Sequence, residues 1–84
     1  MLVRYWFMFK NIPPAEALSL GCGVTAFSKE DALEMIRSRV FANKSFEVSE
    51  IIENVDVSKI TDLHIRPNMG IPVVRGIWFP LGFQ

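Results

Sequence analysis

The stretch "LSLGCGVTA" (Leu18–Ala26) decides how the chain is built. Leu18, Leu20, Cys22, Val24 and Ala26 alternate with Ser19, Gly21, Gly23 and Thr25. A period of two predicts a strand with one apolar face. A helix is the competing reading, but two interior glycines would cost it about 1 kcal/mol each. As a strand, Cys22 sits among aliphatic neighbours, where a structural thiol is expected rather than a nucleophile, which needs an electropositive, accessible setting. The two glycines lack the strand-to-helix context of a phosphate loop. Their expected role is to make room for a large ring such as Trp6 on a neighbouring strand.

Working outward, "LVRYWFMFK" (Leu2–Lys10) is rich in aromatic and β-branched residues and reads as a strand. Val3, Tyr5, Phe7 and Phe9 share the face expected to meet the core; Trp6 and Met8 lie on the other, so that face too should be partly covered. "NIPPAEA" (Asn11–Ala17) breaks the pattern and accommodates one helical turn starting at Pro14. On the far side, "FSKEDALEMIRSRVFANK" (Phe27–Lys44) predicts one amphipathic helix of about 14 residues. Ser28 is its expected N-cap, with Asp31 three residues on as a weak capping box, and Asn43 its stop. Ala32, Leu33, Ile36 and Val40 form its apolar stripe. One such helix covers one sheet face and leaves the other open.

"SFEVSEIIENVDV" (Ser45–Val57) changes apolar parity midway. A strand with a bulge near Ile51–Ile52 reconciles the two halves; a short helix capped by Ser49 is the rival. "DVSKITDLHI" (Asp56–Ile65) reads as a turn or short helix capped by Asp56 or Ser58. "RPNMG" (Arg66–Gly70) is turn chemistry, and "IPVVRGIWF" (Ile71–Phe79) reads as a last strand with Ile71, Val73, Arg75, Ile77 and Phe79 on one face. The expected architecture is therefore α+β: about four mainly antiparallel strands in the sequence order β-β-α-β-β, with the helix on one face, in a single domain spanning residues 1–84.

Composition limits function more than it names it. Hydrophobic residues make up 50% of the 84, too many for one small core to hide readily. A protein partner or homo-oligomer is the natural outlet. Nine basic and nine acidic residues cancel, which argues against nucleic acid. No apolar run approaches the ~20 residues of a membrane helix. "MLVRYWFMFK" (Met1–Lys10) is not expected to act as a signal peptide, because Lys10 ends its apolar run. One cysteine excludes an internal disulfide, and with one histidine gives no zinc set; no cofactor is expected, and a cytoplasmic location is.

The chemistry-bearing residues gather near the end. Arg75 interrupts an apolar row and must reach solvent, an acid or a ligand. Glu47, Glu50 and Glu53 are its expected partners if the third and fourth strands pair. Trp78 and Arg75 are types enriched at interface centres. These observations point to a small non-enzymatic protein-binding module, such as an inhibitor, an immunity-type antidote or an adaptor. Trp6, Arg75 and Trp78 would anchor it, with His64, Arg66 and Asn68 at the rim. The alternative is a binder of a small anionic ligand, a nucleotide or carboxylate, near the turn over 64–75. An enzyme pairing Cys22 with His64 ranks third, since no third group orients the pair.

Overall fold

Tyr5, Phe7, Val24 and Ile77 line up across three neighbouring strands, and this apolar row organises the sheet. In the computed structural model, which describes residues 1–83, β1 (Val3–Phe9), β2 (Cys22–Ala26), β3 (Val48–Glu53) and β4 (Gly76–Phe79) form one antiparallel sheet. Their spatial order is β3-β1-β2-β4. A helix, α1, runs as an α-helix over Lys29–Met35 and as a π-helix over Ile36–Val40. The fold is α+β.

The helix starts where its cap residues stand. Ser28 Oγ accepts from the Asp31 N–H at 3.1 Å, and Asp31 Oδ2 accepts from the Phe27 N–H at 3.1 Å. The stop lies at Ala42 and Asn43, both left-handed with φ of 51° and 65°. Ala32, Met35 and Ile36 pack on Tyr5, Phe7, Cys22, Val24, Ala26 and Ile77. Burial of each large apolar side chain here contributes roughly 1.5–3 kcal/mol.

The opposite face is not open. A second core forms there around Trp6, Trp78 and Phe79. It is covered by Val55, Val57, Ile60, Ile65 and Met69, all from the excursion between β3 and β4. Short 3-10 turns at Val57–Lys59 and Arg66–Asn68 fold that excursion back onto the sheet. Asp56 caps the first of them, its Oδ1 accepting from the Ser58 N–H at 3.0 Å. The sequence pattern shows a helix stripe clearly, but an irregular cover has no period to detect.

Four boundaries differ from expectation. Residues Ala17–Leu20 form a 3-10 turn, three residues later than the turn expected at Pro14, and β2 begins only at Cys22. Gly21 separates the two with φ of 124°, a conformation open to glycine. The bulge in β3 falls at Ser49, because Phe9 faces Val48 and Met8 faces Glu50. Val48 and Ile51 thereby both reach the helix-side core. In β4, Ile77 faces Val24 and Phe79 faces Gly23, so Trp78 is the extra residue and Phe79 joins the outer core instead of Ile77's face. Finally, residues 71–75 are turn and bend rather than strand, with Ile71, Val73 and Val74 exposed.

The glycines of β2 do make room for rings, one for each tryptophan. A Cβ on Gly21 would run into the Trp6 indole, and one on Gly23 would lie 2.5 Å from Trp78 ring carbons. Overpacking of this kind costs about 1–3 kcal/mol. Gly23→Ala should therefore lower the urea midpoint with an unchanged slope, and an unaltered midpoint would mean that the Trp78 ring moves aside freely.

Candidate partner-binding surface

The six residues expected to bind a partner are dispersed by the fold. Trp6 and Trp78 are 8% and 1% exposed and meet at a tilt in the outer core, ring centroids 5.7 Å apart. The Trp6 indole N–H donates to Met8 Sδ at 3.3 Å, whereas Trp78 Nε1 is buried with no acceptor, so packing holds that ring. They are core residues and present no surface to a partner. His64 and Arg66 are exposed and line different hollows, His64 beside Pro14 and Ser19, Arg66 beside Val57 and Pro72. Asn68 is half-buried, its carbonyl accepting from the Leu81 N–H at 3.0 Å.

Arg75 has a partner, and it is not one of the expected glutamates. β3 and β4 are the two opposite edges of the sheet, so Glu47, Glu50 and Glu53 lie across its full width from Arg75. Instead Arg75 Nε donates to Asp31 Oδ2 at 2.9 Å and Nη2 donates to Asp31 Oδ1 at 2.5 Å. This two-pronged geometry is the strong form of an arginine–carboxylate pair. It ties the first turn of α1 to the entrance of β4. The guanidinium also sits 5.8 Å from the centre of the Phe27 ring, within cation–π range.

Around this clamp lie four exposed apolar side chains. Phe27 is 62% exposed, Ile71 67%, Val73 65% and Val74 55%. Ile71 and Val74 share a hollow of about 240 Å³ with Arg39, Arg75 and Ile77. Val73 stands beside them in the same turn, and Phe27 under the Arg75 guanidinium. The turn is pinned from below, where Thr25 Oγ1 donates to the Pro72 carbonyl at 2.5 Å. Exposed apolar side chains scattered singly are ordinary; a fixed cluster bordered by two arginines is not.

Sequence reasoning took Ile71, Val73 and Val74 as strand filling and Asp31 only as a cap. Pro72 was the signal against a regular strand there. Asp31 became visible as an ion-pair partner only once β4 was known to pair with β2, which sets Gly76 opposite Thr25. The thiol of Cys22 is fully buried, and burial pushes its pKa up to about 12, which suits a structural residue. Among the described residues no group of histidine, cysteine and acidic side chains is arranged to hold a metal ion, and no helix is long and apolar enough to cross a membrane. The chain matches no family model, no curated protein and no solved structure.

The clamp has a pH signature. The hydrogen bond from Arg75, then that from the Phe27 N–H, holds the Asp31 carboxyl down to about 2 from its ordinary 3.8. A carboxyl lowered in the folded state stabilises fully above its unfolded value and loses that contribution as pH falls through the folded one. Between 3.8 and about 2, stability of the wild type should thus fall more steeply than that of Asp31→Asn. Urea unfolding at a series of acidic pH values checks this; parallel curves would show that the pair adds nothing to stability.

Proposed function

We propose that this chain is a small non-enzymatic protein-binding module of the inhibitor, antidote or adaptor kind, working in the cytoplasm. Its docking surface is the apolar cluster of Phe27, Ile71, Val73 and Val74 around Arg75. The observation that carries the reading is the exposure of these four side chains, each between 55% and 67%, three of them on a turn that is held rather than loose and Phe27 beside its Arg75. Thr25 pins the turn at Pro72, and Asp31 fixes Arg75 at its end. A surface ordered before binding loses less entropy on docking, which favours recognition over chance stickiness. Arg75 spends Nε and Nη2 on Asp31, so Nη1 takes no part in that pair and is the group left to meet a partner carbonyl or carboxylate.

A small-anion site finds less support. His64, Arg66 and Arg75 line three separate hollows, and Arg75 already neutralises Asp31. The protein-binding reading rests on side chains that share one place.

Val73→Asp combined with Val74→Asp tests it, because both residues are exposed and the change should leave the melting temperature nearly intact. Wild type and double variant are compared in affinity capture from the native host and in sedimentation velocity. A protein, or a second copy of the chain, held by wild type and lost by the variant is the expected result. Equal capture by the two, or a monomer that captures nothing, would sink the proposal.

A further inference from the structure

We infer that a second surface, the outer edge of β3 with the hollow beside Trp6, accepts an extended segment of another protein that carries basic residues flanking an apolar pair. The inference is independent of the turn at 71–75. It starts from a difference between the two edges of the sheet. At β4 the chain covers its own edge: the Gly70 N–H donates to the Trp78 carbonyl at 2.6 Å. At β3 the backbone bonds at either end, Lys10 N–H to Glu47 carbonyl and Val55 N–H to Arg4 carbonyl, both run toward β1. Among the described residues, no segment pairs with the far side of Val48–Glu53. Every second residue of such an edge turns its N–H and C=O outward, and an added strand satisfies them.

Side chains set which strand fits. On the outer face, Ile52 stands beside Trp6 in register and is 42% exposed. It borders a hollow of about 380 Å³ whose apolar walls include Trp6, Leu20 and Ile60 and whose lining also holds Lys59 and Asp62, one charge of each sign. An apolar residue opposite Ile52 would enter that hollow, and one opposite Ile51 would extend the helix-side core. Glu50 and Glu53 flank this pair, both exposed and neither in an ion pair among the described residues. Glu47, one turn of the pattern earlier, holds only a solvent-exposed contact to Lys10 at 3.8 Å. Basic residues opposite Glu50 and Glu53 complete the match.

The same charges select against a second copy. An antiparallel pairing centred on Glu50 would set Glu50 against its mate and Glu47 against Glu53, and like charges placed opposite each other destabilise a ladder. A foreign basic strand gains where a copy of this chain loses. That commits the edge to a heterologous partner.

The test uses the full chain and two acetylated, amidated hexapeptides, one with lysine, leucine, valine and lysine at its centre, the other with glutamate in place of both lysines. Backbone amide shifts are followed by NMR. The lysine peptide should shift the amides of residues 48–53 and bind roughly tenfold tighter than the glutamate peptide, since two cross-strand charge pairs act in the same direction. Glu50→Lys combined with Glu53→Lys, both exposed, should reverse that preference. The inference is overturned if the peptides bind equally, if neither binds at millimolar concentration, if the shifts fall on residues 71–76, or if the chain sediments as a dimer whose amides at 48–53 are protected from hydrogen exchange.

Discussion

Two indole rings laid against two glycines are the constraint on which the rest of this small protein depends. Trp6 from β1 and Trp78 from β4 meet across β2, and a side chain on Gly21 or Gly23 would occupy their volume. Phe79 stacks on Trp6 with centroids 5.4 Å apart, so three large rings crowd one short stretch of sheet. Rings of this size expose a large apolar area unless covered. The chain supplies the cover itself, by sending the residues after β3 back across the face before β4 begins. An 84-residue chain thus carries two cores, one under a helix and one under irregular turns. β4 is left with four residues and a bulge at Trp78, because most of the segment leading to it is used as cover and connection.

The outer cover explains where Arg75 ends up. The chain leaves Met69 at the edge of the second core and must regain the level of the sheet at Gly76, opposite Thr25. The intervening turn is too short to fold over anything, so its aliphatic side chains face outward. What steadies it comes from residues already fixed by the helix start. Asp31 is in place because Ser28 caps α1, and its carboxylate serves both the Phe27 N–H and the Arg75 guanidinium. A single acid therefore closes the helix and anchors the approach to the last strand.

Much of the helix-side architecture was legible in the sequence, because regular elements leave periods. The face shared by Tyr5 and Phe7, the row Cys22–Val24–Ala26, the Ser28 cap and the Asn43 stop all follow from spacing and local chemistry. The glycines opposite the tryptophans were also readable, since a strand glycine beside an aromatic-rich strand calls for a large neighbour. What escaped was non-periodic. Val55, Val57, Ile60, Ile65 and Met69 cover the outer face without sharing a helix or strand, so no window of sequence reveals them as one layer. The Asp31–Arg75 pair joins residues 44 positions apart and depends on strand order, which local patterns do not encode. For the surface around Arg75, the arginine was visible as an anomaly; its apolar companions were not, because Ile71, Val73 and Val74 have the composition of a strand.

The apolar surplus can now be placed. Counting one helix against a two-faced sheet suggested that the second face, only partly covered, offered both tryptophans to a partner. The cover over Trp6 and Trp78 accounts for most of that surplus inside the chain. What it does not absorb includes two clusters of different character, beside exposed single side chains such as Leu63 and Leu81. One is arginine-bordered, at Phe27 and the 71–74 turn; the other is a strand edge beside a hollow, flanked by glutamates. Opposite charge at the two borders means that one partner surface cannot suit both. It also means that two copies of the chain are offered a complementary contact only head to tail, with the arginine border of one against the glutamates of the next. A contact of that kind does not close on two-fold symmetry. The charge arrangement therefore disfavours a symmetric dimer formed through either one.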